Sequence, residues 1–108
     1  MLTSNQKIAF ASILIEMANA DGNIDIHECF VIQRIREKLS IDDETFMLAK
    51  EVSLPVALAV MQDATKQSRI LLAKMLVEVI DADNKVDEAE LRLLKAVAQN
   101  LGIEIYFG

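Results

Sequence analysis

The chain has little of what most fold classes and most chemistries require. Its 108 residues hold three glycines and one proline, too few turn formers for an all-β architecture of many short strands. There is one cysteine, Cys29, so no internal disulfide can form and a reducing, cytoplasmic setting is expected. There is one histidine, His27. It has no nucleophile and orienting partner in a recognisable pattern, so a hydrolytic triad is not expected. Neither a His-Glu-x-x-His zinc motif nor the Glu-x-x-His pairs of a di-iron bundle occur. Basic residues are outnumbered, 11 against 17 acidic ones, for a net charge of −6. A nucleic-acid binder normally carries a basic face, so DNA and RNA are excluded as partners in favour of cations or basic protein surfaces. The most apolar run, Ile8 to Ala18, is broken by Ser12 and Glu16 and is too short to span a bilayer. Met1 leads directly into a helix start, without the pattern of a signal peptide.

The chain does have enough apolar content, 53%, for one domain with one core. It also says one thing twice. Residues 8–41 align with residues 70–103 at an offset of 62 positions. Ile8, Ala11 and Leu14 fall on Ile70, Ala73 and Leu76. Ala20-Asp21-Gly22-Asn23-Ile24-Asp25 falls on Ala82-Asp83-Asn84-Lys85-Val86-Asp87, Glu28 on Glu90, and Leu39-Ser40-Ile41 on Leu101-Gly102-Ile103. Matching apolar residues can reflect core packing alone. A solvated surface has little physical reason to repeat Asp, Asp and Glu at one spacing.

A helical reading follows. The first helix is expected from about Ser4, as N-cap, to Asn19, buried on most sides, with Ser12, Glu16 and Asn19 as a polar stripe. Gly22 then suits a left-handed residue, and Asn84 is the next best residue for its counterpart. A second helix follows Asp25, with Asp25 and Glu28 in the form of a capping box and Cys29, Ile32, Ile35 and Leu39 facing inward. Two short helices make an insert. Asp42 caps one that runs through about Val52 and packs through Phe46. Ser53 caps the other, with Pro55 in its first turn. The second unit repeats the pattern from about Thr65. It has Lys74, Glu78 and Asp81 as its polar stripe, Asp87 and Glu90 as its cap, and Leu91, Leu94, Val97 and Leu101 as its inward stripe. The expected fold is an all-α bundle of about six to seven helices in a single domain, 1–108. It is built from pseudo-repeated helix-loop-helix units at about 4–41 and 66–103, related by an approximate two-fold.

The candidate site residues are the duplicated acids. Asp25, Asp87, Glu28 and Glu90 have an ordinary role at helix starts, where negative charge is favoured. Glu16, Glu78 and Asp81 sit near helix C-termini, where the macrodipole disfavours them. A local rule broken twice in the same way points to function, and a bound cation relieves it. Asp21, Glu28, Asp81, Asp83, Glu90, Glu16 and Glu78 are therefore the candidate metal ligands. Carboxylate oxygens favour Ca²⁺ or Mg²⁺ over softer ions. The loops are not EF-hands. Counted from Asp21, position six is Ile26 and position twelve Ile32; counted from Asp81 they are Val86 and Arg92, where Gly and Glu are required. His27, matched by Ala89, reads as an exposed helix residue, and Cys29, matched by Leu91, as a buried core thiol.

Residues 17–24, Met-Ala-Asn-Ala-Asp-Gly-Asn-Ile, followed by Glu28, resemble the Ala-Asp-Gly-x-Ile-x-x-x-Glu signature of the tellurite-resistance TerB family, a module found also in membrane-anchored DjlA-type co-chaperones. The second copy, residues 82–86 and Glu90, is similar with Asn84 for glycine. The resemblance implies a compact all-α, non-enzymatic domain proposed to bind divalent metal and to act in stress-response or membrane-linked complexes. It carries the family's acidic positions onto Asp21, Glu28, Asp83 and Glu90. The expected function is thus that of a TerB-like accessory domain binding divalent cations. One alternative is an acidic protein-interaction module whose partner has a basic or membrane-associated surface. A metal-dependent hydrolase, using a metal-bound water, is a more distant one.

Overall fold

Six helices account for the described chain: α1 (Ser4–Ala18), α2 (Ile26–Leu39), α3 (Asp43–Ala49), α4 (Leu54–Gln62), α5 (Lys66–Asp81) and α6 (Glu88–Leu101). The structure, a computed structural model, describes residues 2–20, 22, 26–82 and 87–103, and no strand occurs among them. Asp21, Asn23, Ile24, Asp25, the loop 83–86 and the tail 104–108 lie outside the described residues.

α1 starts one residue earlier than a Ser4 cap implies. Thr3 is the N-cap: its hydroxyl accepts the Gln6 N–H at 3.1 Å, and the Gln6 side chain accepts the Thr3 N–H at 3.1 Å. The reciprocal box needs Gln or Glu three residues on, which Thr3 has and Ser4, followed by Lys7, lacks. The apolar run makes α1 the central rod, touching all five other helices. Phe10, Ile13, Leu14 and Met17 are fully buried in the main core. Of the expected polar stripe, Glu16 and Asn19 are exposed but Ser12 is buried. Its hydroxyl donates to the Val52 carbonyl at 2.9 Å, fixing the α3–α4 connection against α1. A serine on a helix facing another segment is as satisfied by a carbonyl as by water.

The inward face of α2 is Glu28, Val31, Ile32 and Ile35. Cys29, expected in the core, is exposed. The reason is geometric. At about 100° per residue, Val31, Ile32 and Ile35 centre on the direction of residue 28 and leave residue 29 at the edge. α6 is turned the same way: Glu90, Leu94, Val97, Ala98 and Leu101 are buried, and Leu91 is only half-buried. In both helices a carboxylate takes the inward place that hydropathy alone gives to its neighbour.

The insert is shorter than its apolar pattern suggests. Asp42 caps α3, accepting the Thr45 N–H at 2.8 Å, and α3 ends at Ala49 rather than near Val52. The Thr45 backbone and hydroxyl bonds, aided by Lys7 and Arg36, hold the Asp42 carboxyl below its ordinary range. Phe46 and Ala49 pack with Ile41 against the Ile8, Ala11 and Ile15 face of α1, while Leu48 is exposed. Ser53 occupies the N-cap position of α4 without a side-chain cap bond. Pro55, the second residue of the helix, has no N–H to give it, and the Val56 N–H, the other possible donor, makes no bond to the serine side chain either. Thr65 caps α5, accepting the Ser68 N–H at 3.1 Å, and Lys74, Glu78 and Asp81 form the exposed stripe.

α1 and α5 begin at the same 62-position offset that the sequence shows, and α2 and α6 both begin and end at it. The exits from α2 and α6 also correspond. Ser40 has φ +56° and Gly102 has φ +67°, and the following N–H, of Ile41 or Ile103, returns to the Arg36 or Ala98 carbonyl. This is a left-handed helix stop.

Candidate functional site

Each acidic loop leads into a helix whose first turn buries a glutamate. Glu28 and Glu90 are each 2% exposed, as hidden as the leucines around them. An ionised carboxylate in that position must be held by hydrogen bonds, helix N–H groups or a cation, since unrelieved burial is costly. Both stand at a helix N-terminus, where the backbone dipole favours negative charge. Asp87, half-buried, caps α6 by accepting the Ala89 N–H at 2.7 Å. That bond goes to the second residue of the helix and not to Glu90, three residues on.

The other predicted ligands are placed differently. Glu16 and Asp81 are exposed near the C-terminal ends of α1 and α5. Glu78 is exposed and lines a small cavity, about 180 Å³, with Arg34, Ile35 and Lys38, so two cationic residues of α2 stand near it. Asp21 and Asp83 lie outside the described residues. Among the described residues, no three His, Cys, Asp or Glu side chains come together as a metal site. The described chain supplies one buried carboxylate per loop, and a complete ligand set would need the loop residues themselves. Gly22, between them, has φ +81°, the left-handed conformation its position requires.

A groove of about 590 Å³ opens between α1, α2 and α3. Ile15, Ala18, Ile32 and Phe46 contribute apolar lining, and Glu16 lies in its wall. Arg36 and Lys50 add cationic lining. Arg36 sits 4.3 Å from the Phe46 ring centroid and Lys50 5.6 Å from it. Arg36 also pairs with Asp43 at 2.6 Å and donates to Gln33 at 3.3 Å. Cys29 is on the groove's lining and His27 is exposed nearby in sequence. The helical pattern gave no sign of this groove, because Arg36 belongs to α2 while Phe46 and Lys50 belong to α3 and its C-cap.

The exposed face of α2 also escaped the sequence reading, although a signal for it exists. Ile26 and Phe30 are 62% and 63% exposed. At the 62-position offset their counterparts are Glu88 and Arg92, which are exposed and ion-paired at 2.9 Å. Comparing the units for where they differ, rather than where they agree, would have found it.

No curated protein matches the chain. Among solved structures, the fold is shared with the crystal structure of a protein of unknown function from Porphyromonas gingivalis W83. The TM-score is 0.82 at 19% identity, over 98% of this chain and 89% of that one. At that identity the likeness concerns the fold alone. The model of the family described as tellurite resistance protein TerB matches residues 1–51, the stretch that holds α1, the first acidic loop, α2 and α3. Over residues 1–51, the stretch that also carries the Ala-Asp-Gly signature and Glu28, the chain is similar to the TerB family.

Proposed function

We propose that the chain is a non-enzymatic, cytoplasmic TerB-like accessory domain of the stress-response kind, whose duplicated acidic loops bind a divalent cation. The observation that carries this reading is the burial of Glu28 and Glu90 at equivalent helix starts, each directly after an acidic loop. A hard cation such as Ca²⁺ or Mg²⁺ at each loop would draw Glu28 with Asp21 in the first unit. In the second it would draw Glu90 with Asp83, and Asp81 and Glu78 lie close to them in sequence. Glu16 is the corresponding residue of the first loop. The second loop carries Asp81 where the first has Asn19, so it binds more tightly, because ligand charge tunes affinity.

Titration with Ca²⁺, Mg²⁺, Mn²⁺ and Zn²⁺, followed by melting and calorimetry, tests this. A saturable site raises stability by about 2.7 kcal/mol at a hundredfold excess of ion over Kd. Asp83→Asn removes most of that increment and Asp21→Asn less. Absence of saturable uptake of every ion, or uptake unchanged by Asp83→Asn, rejects the reading.

The second reading, an interaction module without specific metal, is favoured by the exposed apolar residues of α2 and by the groove beside them. A broad, salt-like response to every cation is its expected signature in the same titration.

A further inference from the structure

The groove between α1, α2 and α3 is built around a residue that the repeat does not require. Arg36 lines it, and at the 62-position offset its counterpart is the buried Ala98. The second helix pair fills that place with a methyl group, so the pairing itself has no need of a guanidinium there. Phe46 and Lys50, which complete the stack on Arg36, come from α3 and its C-cap.

The lining leaves two charges unanswered. Arg36 is held by Asp43 at 2.6 Å. Lys50 and Glu16 are both exposed in the same groove, and neither takes part in an ion pair among the described residues. The Lys50 ammonium lies 5.6 Å from the centroid of the Phe46 ring, which attracts the charge without neutralising it. Glu16 stands in the last turn of α1, where the helix dipole disfavours a carboxylate and a cationic partner relieves it. Around these two charges Ile15, Ala18, Ile32 and Phe46 supply apolar surface. A volume of about 590 Å³ is that of a small-molecule site.

A ligand that answers the whole lining has an apolar body, an anionic group for Lys50 and a cationic group for Glu16. A ligand with one charge desolvates the other protein charge without pairing it. We infer that this groove binds a free amino acid with a large apolar side chain. Its carboxylate meets Lys50, its ammonium meets Glu16, and its side chain lies against Ile15, Ile32 and Phe46.

Calorimetry and chemical-shift titration of the full chain, in metal-free buffer and up to about 20 mM ligand, test this. L-phenylalanine and L-leucine bind saturably, with Kd of about 1 mM. Phenylpropionate lacks the ammonium and phenylethylamine lacks the carboxylate, and each binds about fivefold more weakly than phenylalanine. Lys50→Gln weakens phenylalanine and phenylpropionate but spares phenylethylamine. Glu16→Gln weakens phenylalanine and phenylethylamine but spares phenylpropionate. Both residues are exposed, so both variants keep the helical circular dichroism. A second measurement needs no substitution. Cys29 is an exposed thiol on the groove's lining, and saturating phenylalanine slows its reaction with a thiol reagent. Absence of saturable binding overturns the inference. So does equal binding of the three phenyl compounds, loss at the two variants that ignores ligand charge, or a thiol reactivity that phenylalanine leaves unchanged. Metal-free buffer keeps any cation from Glu16, so these outcomes stand apart from the test of cation binding.

Discussion

Two glutamates and one serine show how a residue's place differs from its type. Glu28 and Glu90 read as capping residues of a helix first turn, and they are buried with the core. Their position follows from Val31, Ile32 and Ile35 in one helix and Leu94, Val97 and Leu101 in the other, which turn each helix so that the carboxylate faces in. Ser40 holds a left-handed conformation, φ +56°, at the stop of α2, where α6 uses Gly102. A side chain with a Cβ in that region costs about 1–2 kcal/mol. Glycine gives back part of this through its greater freedom in the unfolded chain. Ser40→Gly is therefore expected to stabilise the fold by about 0.5–1 kcal/mol. Urea denaturation checks it, and a destabilised variant would mean that the serine side chain contributes something the backbone argument omits.

Helix ends were the part of the chain most legible at the level of elements. Asp42 and Asp87 cap where the sequence places them, although Asp87 bonds the Ala89 N–H rather than that of Glu90, because capping depends on a few neighbouring residues. The exceptions are local too. Thr3 displaces Ser4 because Gln6 completes its box, and Ser53, with proline at the second helix position, makes no side-chain cap bond. Asp87→Ala should lower stability by about 0.5–2 kcal/mol through loss of the bond to the Ala89 N–H. Glu78→Gln should change it by less than about 0.5 kcal/mol. Glu78 is exposed, and the unfavourable dipole at the end of α5 is countered by Arg34 and Lys38 nearby. Thermal melts in metal-free buffer compare the two. A larger effect at Glu78 would contradict the assignment of Asp87 as the structural residue of the pair.

For the whole molecule, α1 is the organising element. It contacts every other helix, and its Phe10, Ile13, Leu14 and Met17 are without solvent exposure. Leu14→Ala removes side-chain volume at the centre and is expected to cost about 2–5 kcal/mol, the range for cavities that neighbours cannot fill. The equivalent Leu76→Ala, in α5, should fall in the same range, since Leu76 is equally buried. Denaturant midpoints measure both. A loss below about 1 kcal/mol at either position would show that the core collapses around the change.

The sequence by itself determined the helical class, the order of the elements, most of the caps and the offset at which helix starts recur. These rest on periodicity and on interactions within three or four residues, which a linear string records. Only the tertiary structure decided the rotation of α2 and α6, the burial of Glu28 and Glu90, and the exposure of Cys29. It also decided the bond from Ser12 to Val52 and the stacking of Arg36 and Lys50 on Phe46. Each of these depends on which neighbour lies across a helix face. A carboxylate and a thiol one residue apart differ by about 100° around the helix, and only packing against the other helices fixes which of them turns inward.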